Sequence, residues 1–288
     1  MFRMLKRKFY IVIVVIAVLL FAITVSAYFV IDKALTDDYT AKTNDIARKI
    51  INDFRIKTDY IESLACFFAE GLNDKTDNSG TAFEDAFNTD VNKIKIYNSD
   101  IDGAGVFRNN GYKAVTNSRY LRAEQELCGM LDNGDENVWA ALKNERGNTT
   151  NLFLLLPLNN AGAEQSDIVM LEVTSLKKGL KADNIFMQNT EVYFETPKDR
   201  LYVLETDHAD DKTDKNVYIE EIQPGLNLAV NISMRGLREQ LNKVKAYMIV
   251  FYLMFLMLAA AVVHRTVQKI VNELTDLKED IDDYALSK

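Results

Sequence analysis

The sequence predicts an α+β fold: an extracytoplasmic domain with a long N-terminal helix and a mixed antiparallel sheet, flanked by two transmembrane helices. Three observations predict it. Two long stretches of the 288-residue chain contain no Asp, Glu, Lys or Arg. The segment after the first stretch keeps a helical period, and the remainder alternates short apolar runs with turn residues. Composition excludes other classes. The net charge of −8, from 42 acidic and 34 basic side chains, argues against a nucleic-acid partner, which needs a clustered basic surface. With 12 Gly and 3 Pro the chain is neither collagen-like nor of low complexity.

Phe9 to Ile31 is an uncharged run of 23 residues, and Ala246 to Val263 is a second of 18. About 20 apolar residues at 1.5 Å rise cross a ~30 Å hydrocarbon layer, so both are read as spans. Tyr247 and Tyr252 suit the interface at the start of the second. The competing readings are a signal peptide and a buried core helix. The first core is longer than the 7–15 residues of a signal sequence, and Ser26-Ala27-Tyr28 is a weak cleavage match. Arg3, Lys6, Arg7 and Lys8 precede the first span without an acid, which keeps the N-terminus cytoplasmic. Two crossings return the C-terminus to the same side, where His264-Arg265 and Lys269 follow the second span. The stretch between the spans, with 36 acidic and 26 basic residues, is then outside. The expected organisation is a cytoplasmic N-terminus (1–8), a first span (9–31), a long helix with a membrane-distal domain (32–190), a reduced membrane-proximal module (191–245), a second span (246–263) and a cytoplasmic helix (264–288).

Asp32 to Leu72 contains only Gly71 and no Pro, and Ile46, Ile50, Phe54, Ile61, Leu64 and Phe68 recur at largely helical spacing. Gly71 and the polar run Asn73–Gly80 stop it. Gly103 to Val115 reads as a hairpin turning at Asn110-Gly111, which supplies positive φ. Strands follow at Asn151–Leu158 and Asp167–Thr174, then a short helix over Ser175–Lys181. Glu191–Glu195 pairs with Leu201–Glu205 across Thr196–Arg200, and Val217–Ile222 with Leu226–Ile232 across Pro224-Gly225. A helix from about Met234 feeds the second span.

Cys66 and Cys128 both fall outside, where one disulfide is permitted, although their apolar flanks suit buried, unpaired thiols. His208 and His264 are far apart and lack ligand spacing, so no metal is expected. Past the second span, Val267, Ile270, Leu274, Leu277, Ile281 and Tyr284 step by 3, 4, 3, 4 and 3. This is an a/d heptad seam, a signalling coil that implies a homodimer. A helix lying on the membrane is the alternative, opposed by Asp276, Glu279, Asp280, Asp282 and Asp283.

Phe153-Leu-Leu-Leu-Pro-Leu-Asn-Asn, followed by Ile168-Val-Met-Leu-Glu-Val-Thr-Ser-Leu-Lys-Lys-Gly-Leu180, resembles the strand, Pro turn and strand-to-helix passage of the Cache family of bacterial extracytoplasmic sensors, whose domains are PAS-like. Glu172 stands where that family has Asp. Ile222-Gln-Pro-Gly-Leu-Asn-Leu-Ala-Val-Asn-Ile-Ser-Met234 is similar to the closing strands of double-Cache histidine kinases, with Leu226 in place of an aromatic. Arg265-Thr-Val-Gln-Lys-Ile-Val-Asn-Glu-Leu274 resembles the first helix of a HAMP linker, with Ile270 in place of Pro. The resemblance implies a bacterial plasma-membrane receptor with a small-molecule pocket in the sheet around Gly103–Thr174. Amino-acid-sensing members carry Arg-x-Trp-Tyr; Asn137-Val138-Trp139-Ala140 keeps only the Trp. Trp139 would either stack on a ligand or pack in the core. Glu172, inside an apolar strand, must pair or line a polar cavity. Arg108 and Tyr112 flank the hairpin turn as solvated residues and complete the candidate ligand set with Trp139 and Glu172.

No nucleotide loop, phosphoacceptor His or cyclase motif is visible, so the chain is expected to be no enzyme and to hold no cofactor. Its expected role is the sensory input portion of a transmembrane receptor. The output, first among candidates a histidine kinase, would lie in a cytoplasmic module or partner absent from this chain. The alternative is a membrane-anchored binding or scaffold protein without signalling.

Overall fold

The computed structural model describes residues 2–73, 81–108, 113–121, 126, 137–143, 150–158, 167–179, 190–204 and 215–286. The chain divides into two units, one of Met1–Lys42 with Arg235–Lys288 and one of Thr43–Met234.

The first unit is built from parts of two helices, α1 (Phe2–Asn73) and α3 (Arg235–Leu286). Both contain windows long and apolar enough to cross a membrane, and neither window is buried. Large side chains such as Val14, Leu19, Phe21, Phe251, Phe255 and Leu258 face outward. Among them Phe21 meets Tyr252 edge-on at 5.9 Å, so the two helices touch along their apolar stretches.

The second unit packs the rest of α1 and a shorter helix, α2 (Thr81–Tyr97), against two antiparallel sheets. The five-stranded sheet has the order β2-β1-β5-β4-β3, with β1 Gly103–Phe107, β2 Lys113–Val115, β3 Val138–Lys143, β4 Thr150–Leu158 and β5 Asp167–Glu172. A 3-10 helix follows over Thr174–Gly179. The four-stranded sheet has the order β7-β6-β9-β8, with β6 Thr190–Glu195, β7 Arg200–Leu204, β8 Lys215–Gln223 and β9 Leu226–Ser233. The mixed antiparallel sheet expected within 32–190 is wholly antiparallel, and so is the second sheet, whose strands are the two hairpins expected within 191–245. The reason lies in the connections: the neighbouring strands are hairpins or antiparallel returns, and none needs a parallel crossover.

The helical period of α1 does what its sequence promised. Ile50, Phe54, Ile61 and Phe68 are buried, and Ile46 and Leu64 pack against the same cluster half-exposed. The helix passes through Gly71 and ends at Asn73. Two elements are additional to those expected. In α2, Phe83, Phe87, Val91 and Ile94 keep a helical stripe and are buried, with Phe68 6.0 Å from Phe87. In β3, the run Val138-Trp139-Ala140-Ala141-Leu142 pairs throughout with β4.

One apolar cluster runs through both sheets and both helices, joining Ile61, Phe87, Trp139, Leu154, Leu171, Phe194 and Val230. Phe54 meets Phe194 edge-on at 5.1 Å. Polar ties reinforce this packing on α1: Arg55 binds Glu220, Gln223 donates to Asp59, and Thr43 shares a 3.2 Å hydrogen bond with Tyr218. At the β8–β9 turn, Pro224 precedes Gly225, whose φ of +74° is open to glycine and strained for other residues.

Cys66 is exposed on α1, which corrects the expectation of a buried thiol. Its neighbour Ala65 takes the inward position, so the helical step turns Cys66 outward. Cys128 and the turn at Asn110-Gly111 lie outside the described residues.

Candidate functional site

The five-stranded sheet has two unlike faces. Alternation sends Ala104, Val106, Trp139, Leu152, Leu154, Val169 and Leu171 toward the helices. The other face carries a second cluster of Phe107, Tyr120, Ala140, Leu142, Phe153, Leu155 and Met170. Across that face the register aligns Gly103, Glu172, Phe153 and Ala140 in one row, and Gly105, Met170, Leu155 and Val138 in the next.

Glu172 is the only acid in the first row, and it is 2% exposed. Three donors satisfy it. The Arg119 guanidinium and the Tyr120 hydroxyl both donate to Oε2, and the Thr174 hydroxyl donates to Oε1 at 3.1 Å. Arg119 and Tyr120 sit on a short helical turn after β2, begun by Asn117, whose side chain accepts from Arg119 N at 3.1 Å. Tyr120 is buried and packs edge-on against Phe153 at 6.2 Å. The Arg119 side chain is half-exposed, so its charge reaches from solvent to the buried carboxylate.

Gly103 makes this approach possible. A Cβ there would collide with the Tyr120 hydroxyl and stand 2.7 Å from Thr116 Oγ1. Thr116 Oγ1 is itself fixed, accepting from Ala104 N and donating to Ala104 O, each at 3.0 Å. Beside the row, Asp102 accepts from Ser175 N at 2.6 Å and from the Ser175 hydroxyl, holding the start of the 3-10 helix. Lys178 donates to Ser175 Oγ at 3.1 Å. The result is a chain of polar contacts beside the row, from Lys178 through Ser175 to Asp102.

Burial pushes the Tyr120 hydroxyl well above the ordinary 10.0, and the hydrogen bond and charge of Glu172 push it further. The folded state therefore keeps this proton where the unfolded chain gives it up. The stabilisation is fully present below pH 10 and is lost as pH rises above it. Alkaline unfolding followed by circular dichroism should show a stability loss beginning near the ordinary tyrosine value. Tyr120→Phe should lower stability at neutral pH by about 1.5–3 kcal/mol, as expected for a bond to a charged partner, and should flatten the alkaline slope. An unchanged slope would show that Tyr120 is not the group responsible.

The three described residues of the expected ligand set, Trp139, Glu172 and Arg108, do not converge. Trp139 is 1% exposed on the helix-facing side, opposite Leu154, and Glu172 lies on the other side of the same sheet. Arg108 is not solvated, which corrects the expectation for a hairpin residue. Its side chain is 9% exposed, lies 3.9 Å from Asp167, and stacks 4.3 Å over the Phe83 ring. It sits one residue past β1 with the inward parity of Ala104 and Val106, beneath α2. Tyr112 lies outside the described residues. Arg119, Tyr120 and Thr174, which do surround Glu172, were not foreseen. A carboxylate in an apolar strand announces the need for partners, but nothing in the sequence says which of 34 basic residues answers it.

In the heptad, Val267 lines a groove with Phe9 and Ile13 of α1. Ile270 and Leu274 are half-buried, Leu277 is exposed, and the Ile281 side chain lies outside the described residues.

No family model matches this chain, and no curated protein matches it. Solved structures similar to it include the extracellular domain of a protein described as a histidine kinase, vpHK1S-Z8, at 11% identity and a TM-score of 0.43, covering 67% of this chain and 89% of the other. A second such extracellular domain, soHK1S-Z6, has 11% identity and a TM-score of 0.41 over 65% and 92%. The ligand-binding domain of the Pseudomonas aeruginosa PAO1 amino-acid chemoreceptor PctC, in complex with GABA, has 13% identity and a TM-score of 0.34 over 60% and 98%.

Proposed function

We propose that the chain is the sensory input portion of a bacterial transmembrane receptor. In this reading the 43–234 unit lies outside, takes a small polar ligand at the Glu172–Arg119–Tyr120 group, and biases a cytoplasmic output through α1 and α3. A histidine kinase is the first candidate for that output, and the heptad helix would pair two copies as the start of a HAMP-like linker. The two sheets would be the membrane-distal and membrane-proximal modules of a double-Cache-like sensor.

The observation that carries the reading is covalent continuity. α1 belongs to both units as one uninterrupted helix, and Met234 alone separates β9 from α3. Flexible tethers would absorb a displacement, whereas a helix transmits it along its axis. The polar group supplies the input: Arg119 is anchored at one end by Glu172 and half-exposed at the other, leaving further guanidinium donors for a ligand. Only a ligand with unequal affinity for two states of this group could drive output.

Two measurements test the reading. With Cys128→Ser leaving Cys66 as the sole thiol, a membrane-impermeant maleimide should label Cys66 on intact cells; labelling only after lysis would reverse the topology. A thermal-unfolding screen of the full chain against amino acids, organic acids, amines and peptides should find a stabilising ligand. At 100 times its dissociation constant that ligand adds about 2.7 kcal/mol. The stabilisation should vanish in Glu172→Gln, and its persistence there would place the ligand elsewhere.

A further inference from the structure

We propose that the groove between α1 and α3, at the end where both helices turn basic, is a binding site for an anionic phospholipid. This rests on the reading that both helices cross the membrane. The groove has a volume of about 520 Å³ and two unlike ends. One end is apolar, lined by Ile13, Ala260 and Val263. Past Val263 the α3 lining adds polar groups, His264, Gln268 and Asn272 four residues apart in one line, with Val267 and Val271 beside them. At 1.5 Å per residue that line is about 12 Å long, the depth of a headgroup and its glycerol.

The change from apolar to polar falls where the charge-free runs end, between Lys8 and Phe9 on α1 and at His264-Arg265 on α3. The same level carries Arg7, Lys8, Arg265 and Lys269, and no acid occurs in residues 1–31 or 240–272. The nearest carboxylate, Glu273, stands 3.8 Å from Lys269 in an exposed pair, which solvent weakens. A free phosphate would leave the apolar end unused. A helix from a second copy would have to bury three polar side chains. A phospholipid meets both ends at once, with an acyl chain beside Ile13 and Ala260 and a phosphate beside the polar line. Arg7, Lys8, Arg265 and Lys269, which follow the charge-free runs without lining the groove itself, select an anionic one, each Lys or Arg near such headgroups strengthening attraction by about fivefold.

The test is native mass spectrometry of the full chain in mild detergent, offered phosphatidylglycerol or phosphatidylcholine. Phosphatidylglycerol should be retained preferentially. Lys8→Gln with Lys269→Gln should reduce that preference about 30-fold, and Gln268→Leu with Asn272→Leu should lower retention of both lipids. These positions lie outside the 43–234 unit, so an unchanged melting of that unit verifies folding. Equal retention of the two lipids would overturn the proposal, as would variants that behave like the parent. Displacement of lipid by inorganic phosphate alone, or efficient disulfide formation between copies of Asn272→Cys, which faces away from the heptad seam, would assign the groove to an ion or to a second chain instead. A chain that does not partition into vesicles at all defeats the spanning reading; one that partitions without lipid preference defeats only this site.

Discussion

Trp139→Ala should lower the unfolding free energy by about 3–5 kcal/mol, measured by denaturant titration with circular dichroism. Trp139 is the largest fully buried side chain of the protein, set opposite Leu154 in β3 and continuous with the cluster that includes Ile61, Phe87 and Phe194. Truncation would leave a cavity where the helices meet the five-stranded sheet, and domains of this kind have only about 5–15 kcal/mol in total. Trp139→Phe should cost far less than its volume suggests. The indole Nε1 is buried and has no hydrogen-bond partner among the described residues, so phenylalanine removes an unsatisfied donor while keeping most of the apolar contact. If Trp139→Phe were as damaging as Trp139→Ala, the indole nitrogen would have to be working through an interaction of its own.

The second large effect is expected at Glu172. Glu172→Ala should destabilise by about 2–4 kcal/mol, since it strips a buried tyrosine hydroxyl of its charged acceptor and frees Thr174. Arg119→Ala should cost less, about 1–2 kcal/mol, because the guanidinium is half in water and its attraction is screened accordingly. Tyr120 and Thr174 would remain on the carboxylate. Denaturant titrations of both variants and of the double variant give the coupling directly. The reverse order, with Arg119→Ala the more damaging, would make neutralisation of charge rather than hydrogen bonding the principal support of Glu172.

These two residues also mark how far the sequence could be read. Trp139 and Glu172 were both conspicuous, one as the lone tryptophan and the other as a charge in an apolar strand. The sequence left each with two readings, and the structure resolves their surroundings by parity: one side chain per face, back to back across a single sheet. Because side chains alternate, strand register decides which residues share a face. Arg108 shows the same limit. Beside a turn signal it reads as solvated, and only the packing of α2 over that strand end puts Phe83 beneath its guanidinium.

What the sequence by itself determined is local. Charge-free length marks the two candidate spans, the period of Ile50, Phe54, Ile61 and Phe68 marks the buried face of α1, and Pro224-Gly225 marks its turn. The stripe Phe83, Phe87, Val91 and Ile94 of α2 has the same local period, although no helix was expected there. Each of these signals needs only neighbours along the chain. What only the tertiary structure decided is long-range: the order of strands in each sheet, the row that aligns Gly103 with Glu172, and the choice of Arg119 and Tyr120, 53 and 52 residues away, as its partners. A buried carboxylate requires compensation, but the residue that supplies it is chosen by which strands lie side by side, and spacing along the chain carries no record of that.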